Sequence, residues 1–258
     1  MVNFVGITRL SDSLRARRGL STAWIDLVDG ALRRALPGRC AFCLAPGSDG
    51  HPWCEACFAS LSWNLPACPC CAEPQPGQLA GRRCGACLRL PPAYDRARVP
   101  LRYEGEVAGL VRRFKFHASP RAGAVLLDLL TAGLPAEALA WPAAVVPVPL
   151  HPRRARERGF DQAGWLARRL ARRSGRPLIE AERRRDTRSQ RGLDRRERRA
   201  NLRGAFRVEA ALPSGVVLVD DVMTTGATLD ALAAACRRAG AERVEVWAVA
   251  RTPLHLHL

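Results

Sequence analysis

The stretch Val216-Val217-Leu218-Val219-Asp220-Asp221-Val222-Met223-Thr224-Thr225-Gly226-Ala227-Thr228 decides the fold. Val216–Val219 is an unbroken apolar run, which reads as a strand buried on both faces and not as one with a wet side. Two carboxylates follow at its carboxyl end, the edge at which open α/β sheets bind ligands. A small, hydroxyl-rich turn then opens a helix predicted over Thr228–Ala239 and stopped by Gly240. Thr224, Thr225, Gly226, Ala227 and Thr228 can surround a phosphate with backbone N–H groups and hydroxyls, at the positive end of the helix dipole. Asp220 and Asp221 suit the vicinal hydroxyls of a ribose and can help to hold Mg²⁺, directly or through water. The run is not a P-loop, because the Gly-Lys-Ser/Thr ending is absent, and it is not a dinucleotide fingerprint. A strand followed by an ordinary polar turn would need neither the paired acids nor the Thr-Thr-Gly-x-Thr run.

Around this unit, strands and helices alternate. Strands are expected at Arg98–Tyr103, Ala143–Val148 and Val244–Ala250, and helices at Glu106–Phe116, Arg121–Leu130 and Gln162–Arg173. Apolar strands separated by helices predict a mainly parallel sheet covered on both faces. Asp186–Gly204 is too rich in arginine for a core element and reads as a mobile loop with a short helix. Ser21–Leu36 has helical apolar spacing and ends at Pro37-Gly38.

Nine of the ten cysteines fall between Cys40 and Cys87, among prolines and glycines. Eight of them form Cys-x-x-Cys pairs: Cys40 and Cys43, Cys54 and Cys57, Cys68 and Cys71, Cys84 and Cys87. A two-residue gap lets both thiolates of a pair reach one ion, and two pairs complete a tetrahedral zinc site. Two structural Zn²⁺ sites are therefore expected. Sequential and interleaved pairings both satisfy the spacing. A disulfide framework fits poorly, since Met1–Gly19 lacks the apolar core of a secretory signal. Cys70 sits between ligands as a bystander, Cys236 lies on the apolar face of the last helix, and His51 finds no vacancy among eight thiolates.

The formal charge is +17 and Lys115 is the only lysine. The excess is concentrated in residues 151–203, which hold 19 Arg against 7 Asp and Glu. Such a field attracts phosphorylated substrates or nucleic acid. Arg168, Arg169, Arg172 and Arg173 read as a solvated helix face; Lys115 is a candidate phosphate contact, though a lone lysine on a helix more often lies on the surface. No apolar run approaches the length of a membrane span, so a cytoplasmic protein is expected.

The Val216–Thr228 run resembles the motif by which type I phosphoribosyltransferases bind phosphoribosyl pyrophosphate (PRPP). That resemblance implies the ribose hydroxyls on Asp220 and Asp221, the 5-phosphate on Thr224–Thr228, and Mg²⁺ bound with the pyrophosphate. Arg153, Arg154, Arg156 and Arg158 follow the Pro147–Leu150 strand end, where a resemblance to the loop after the first core strand of phosphoribosyltransferases implies pyrophosphate contacts, which guanidinium forks suit. Arg184, Arg185 and Gln190 are candidate ligand contacts, because the same resemblance implies at Arg183–Gln190 a loop that closes over substrate. Tyr103-Glu104-Gly105, Phe114-Lys115-Phe116, Pro147–Leu150, Arg158–Ala163, Asp186–Gln190, Arg198–Leu202 and Ala250–Pro253 occur with the paired knuckles as in the ComF family. The resemblance runs from about Asp26 to Pro253. It implies a type I phosphoribosyltransferase-like domain behind an N-terminal double zinc-ribbon module, and a part in DNA uptake during natural competence. The expected division is an extension at 1–20, a helix plus double zinc ribbon at 21–92, and the α/β domain at 93–258.

The acceptor side of a transfer reaction has no candidate: no base-recognition hood, glutaminase cysteine or general base is evident. Two classes of function stay open. One is a phosphoribosyltransferase of unknown acceptor. The other is a non-catalytic protein that binds single-stranded DNA or acts as an adaptor for competence and recombination proteins, with PRPP as regulator or relic. Phe160, Trp165 and Phe206 lie near the arginines and are the aromatics such a DNA groove would use.

Overall fold

The computed structural model describes residues 38–150, 160–184, 202 and 204–253. The expectations placed on residues 1–37, on Arg153, Arg154, Arg156 and Arg158, and on Arg185 and Gln190 lie outside them. The chain forms two compact units, one ending at Ser60 and the other spanning Leu61–Leu258. In the first, the described helix is α1 (Glu55–Ala59). In the second, the elements run α2 (Gly85–Arg89), β1 (Arg96–Arg98), β2 (Leu101–Arg102), α3 (Gly105–Phe116), α4 (Pro120–Ala132) and β3 (Ala144–Pro147). Then follow α5 (Gln162–Ser174), β4 (Glu182–Arg183), β5 (Phe206–Arg207), β6 (Gly215–Met223), α6 (Ala227–Arg238) and β7 (Arg243–Arg251).

The sheet is parallel, in the order β1-β7-β6-β3, with β2 also on β7. Val216–Val219 are fully buried at its centre, as an apolar run without alternation requires. Val216 and Leu218 join a core with Leu229, Leu232 and Cys236 of α6. On the strands' other faces, α4 packs on β7, and α5 packs on β3 and β6. The expected α/β class, a parallel sheet with flanking helices, is what forms.

Two differences have clear causes. The strand expected at Arg98–Tyr103 is broken into β1 and β2 on either side of Val99-Pro100, because proline has no N–H to give to the ladder. The strand expected to end at Val219 continues as β6 through both aspartates to Met223. Its ladder with β7 carries on as Asp220↔Ala248, Val222↔Ala250 and Met223↔Arg251.

A buried charge is anchored in β7. Glu245 is 1% exposed and takes hydrogen bonds from Arg98 at 2.9 Å and Arg243 at 2.7 Å. Burial pushes its carboxyl up, but the bonds from Arg243 and Arg98 outweigh that and hold it below the ordinary range.

Candidate functional site

The cysteines gather in sequential pairs. The Sγ atoms of Cys40, Cys43, Cys54 and Cys57 lie within 4.8 Å of one another, and so do those of Cys68, Cys71, Cys84 and Cys87. A tetrahedral ion with Zn–S bonds of about 2.3 Å sets its sulfurs roughly 3.8 Å apart. The Cys43–Cys54 and Cys71–Cys84 separations are 3.7 and 3.6 Å. Two Cys₄ sites therefore fit structural zinc, with all four positions of each filled by thiolates. His51 stands outside both sets, stacked on Trp53 at 4.9 Å.

The two ribbons use one local device. Cys40 N–H bonds to the Ala45 carbonyl at 2.7 Å, and Cys68 N–H to that of Glu73 at 2.8 Å. Leu44 and Ala72, each just after a pair's second cysteine, take positive φ of 65° and 53°. Cys54 and Cys84 each cap a short helix, α1 and α2. They differ in surroundings: Cys68, Cys71 and Cys87 are buried in the same core as Leu218 and Leu229.

At the carboxyl end of β6 the two aspartates occupy different environments. Asp221 is 6% exposed, and Lys115 Nζ at the end of α3 lies 2.9 Å from its Oδ1. Lys115 was a candidate phosphate contact, against the usual surface place of a lone helical lysine. Its ammonium reaches into the acidic pair, while Gln162, buried at the start of α5, donates to the Lys115 carbonyl at 3.4 Å. Asp220 is half-buried and accepts the Asp221 N–H at 2.8 Å. Burial first, then the neighbouring Asp221 charge, pushes its carboxyl up to about 8, against the opposing pull of Lys115.

Beyond them the chain turns at Gly226, whose φ is 76°, and enters α6 at Ala227. The helix N-cap is thus a glycine with no side chain to offer. Thr225 Oγ1 takes the Ala227 N–H at 3.4 Å, and the twelve-residue helix begins there, at the carboxyl end of β6, without a side-chain bond from its N-cap. Thr224 is exposed and Thr225 half-exposed.

Beside this loop, Val148 N–H bonds to the Val219 carbonyl at 2.9 Å, and Pro149 and Leu150 continue past the end of β3. A cavity of about 430 Å³ opens there, between Pro147–Leu150, Phe160, Asp161, Arg168 and Glu180. Of the expected loop contacts, Arg184 is exposed, with its N–H on the Ala205 carbonyl at 2.9 Å.

Of the aromatics proposed for a DNA groove, Trp165 and Phe206 are buried and Phe160 is half-buried at the cavity. Trp165 and Phe206 are 8% and 3% exposed. Phe160 and Trp165 both meet Phe114 edge-on, at 5.2 and 5.3 Å. On the basic helix face Arg168, Arg172 and Arg173 are exposed, while Arg169 stacks on Trp165 at 3.5 Å. Among the described residues, no helix is long and apolar enough to cross a membrane.

Residues 31–88 match the double zinc ribbon domain family. The chain is 32% identical over 208 residues to competence protein F of Haemophilus influenzae, covering 77% of this chain and 90% of that protein. It is 34% identical over 227 residues to the DNA utilization protein YhgH of Escherichia coli, covering 84% of this chain and 98% of that one. Two solved structures align over about half of it. Orotate phosphoribosyltransferase from Aeropyrum pernix gives a TM-score of 0.36 at 24% identity, covering 54% of this chain and 66% of that one. Purine phosphoribosyltransferase from Pyrococcus horikoshii gives 0.35 at 19%, covering 53% and 77%.

Proposed function

Since the chain belongs to the family of competence protein F and the DNA utilization protein YhgH, we propose that it binds PRPP with Mg²⁺ at Asp220–Thr228 and acts in DNA uptake and use. One observation carries this reading: an acidic pair, a lysine and an open helix N-terminus converge at the carboxyl edge of a parallel sheet. The carboxylates would accept hydrogen bonds from the ribose hydroxyls, and the first turn of α6 would take the 5-phosphate. Lys115 neutralises Asp221 in the free protein and is close enough to turn toward an incoming anion. Mg²⁺, a hard cation suited to carboxylate and phosphate oxygens, would supply charge neutralisation at the pyrophosphate. The cavity beside Pro147–Leu150 is the place for an acceptor, if transfer occurs.

Calorimetry with PRPP and Mg²⁺ tests the central claim. The wild type should bind, and Asp220→Ala with Asp221→Ala should weaken binding by about tenfold or more, since each lost charge-assisted hydrogen bond counts. A wild type that takes up no PRPP rejects the reading. Pyrophosphate release in the presence of bases and amines then separates a transferase from a binding protein.

The adaptor reading, with single-stranded DNA or competence and recombination proteins as partners in the cytoplasm, is favoured by the charge of residues 151–203 alone. The burial of Trp165 and Phe206 takes away two of the stacking platforms it would have used, while Phe160 is half-buried in the cavity lining.

A further inference from the structure

Arg251, the last residue of β7, is 1% exposed. A buried guanidinium needs acceptors for its donors, and besides the neighbouring Thr252 carbonyl they come here from two distant parts of the chain. On one side Nε donates to the Cys71 carbonyl at 3.2 Å, and NH2 pairs with Glu73 at 2.6 Å. Both partners belong to the second zinc ribbon. On the other side NH1 donates to the Met223 carbonyl at 3.1 Å and to the Thr224 carbonyl, where β6 passes into the phosphate loop.

The peptide plane gives these contacts a consequence. In a trans peptide the carbonyl of one residue and the N–H of the next point in opposite directions. Thr252 N–H also holds the Met223 carbonyl, at 3.0 Å, so the grip that Arg251 adds is on the Thr224 carbonyl, which fixes the Thr225 N–H on the opposite side. That donor lies in the run assigned to phosphate. The first ribbon supplies an internal comparison. Ala45 occupies the place that Glu73 has in the second, with the same backbone bond from the first cysteine. The ribbon fold thus does not require a carboxylate there, and Glu73 serves Arg251.

We infer that Arg251 is a positioning residue through which the second zinc site sets the phosphate loop, so that metal at Cys68, Cys71, Cys84 and Cys87 strengthens binding of a phosphate-bearing ligand. This rests on the reading of Thr224–Thr228 as a phosphate site. A bland core staple would raise overall stability alone. A positioning residue acts on the loop first.

Hydrogen–deuterium exchange of the peptide covering 223–229 separates the two, and needs no ligand. Glu73→Gln keeps its size, its ribbon and both zinc ions. It should raise exchange in 223–229 by about tenfold or more, the loss expected for a charge-assisted buried bond, while residues 216–220 stay protected. Cys84→Ser, with one zinc fewer, should do the same, and Arg207→Ala at an exposed ion pair should do nothing. Unchanged exchange in 223–229 for Glu73→Gln overturns the inference, whether or not Cys84→Ser folds. Equal loss of protection in 216–220 and 223–229 overturns it too, because that is the staple's signature. Calorimetry with PRPP on wild type and Glu73→Gln completes the test. Weaker binding by the variant is expected and equal binding overturns the link, whereas no binding by either rejects the PRPP reading and leaves the exchange result standing.

Discussion

Asp220 and Asp221 are neighbours in sequence with unequal surroundings, and the difference has a sign. Lys115 sits directly on Asp221, while burial and the Asp221 charge push the Asp220 carboxyl up to about 8. A carboxyl raised on folding stabilises the fold while it is protonated. Its contribution is complete below the ordinary carboxylate range, near pH 4, and is lost as pH rises to about 8. Asp220→Asn stays neutral throughout. Its urea midpoint should therefore gain on the wild type between roughly pH 4 and pH 8 and hold a constant lead above that. Midpoints that run parallel at pH 5, 7 and 9 would refute the assignment. The acids themselves were legible from the sequence, because a carboxylate pair after an apolar run has few other uses. Lys115 was less so. A lysine eleven residues into a helix looks like surface, and only the tertiary arrangement, with α3 packed on α4 and the Lys115 carbonyl bonded by Gln162, brings its ammonium to Asp221. Its being the one lysine in a chain with 41 Lys and Arg was the available signal.

At the scale of the elements, the join between β6 and α6 turns on Gly226. Its φ of 76° lies where a side chain is disfavoured, and a Cβ there would fall 2.7 Å from Met223 Cε and 3.1 Å from Tyr94 Oη. The methionine tip can shift, but both residues are buried in one core with Cys71 and Cys87, so the room is small. Gly226→Ala should cost about 1–2 kcal/mol from the backbone alone, lowering Tm by several degrees in a unit of this size. Denaturant unfolding reads the loss directly, and an unchanged midpoint would mean that the turn relaxes. The same join shows the limit of periodicity. Hydrophobicity ends at Val219 and so did the expected strand, yet a ladder asks only for a partner backbone, which β7 supplies as far as Arg251. Pro100 marks the converse, a point where pairing is interrupted before β2 resumes it on β7 in the same register. Helix ends did better: α5 begins where Asp161 can take the Gly164 N–H at 3.0 Å and ends at Gly175 with φ 64°, and both signals are local.

For the molecule as a whole, the repeated ribbon is the feature whose two copies have diverged most. The eight thiolates and their spacing were plain in the sequence. Their unequal burial was not, because it depends on what each ribbon packs against. In the unit ending at Ser60, Cys40 is buried, but Cys43 is exposed and Cys54 and Cys57 are half-exposed. In the unit spanning Leu61–Leu258, Cys68, Cys71 and Cys87 are buried within the core that also holds Leu218, Leu229 and Leu232. Chelators and oxidants reach a thiolate by solvent access, and a metal held by a folded core is released only as that core opens. Zinc release to a chromogenic chelator should therefore be biphasic, one ion quickly and a second slowly, about two per chain in total. The slow phase should quicken with urea in step with unfolding of the second unit, while the fast phase ignores it. Partial chelation that removes the first ion should leave the Tm of the second unit unchanged. A single release phase for both ions, or one ion in total, would show that the two ribbons do not hold metal as separate sites.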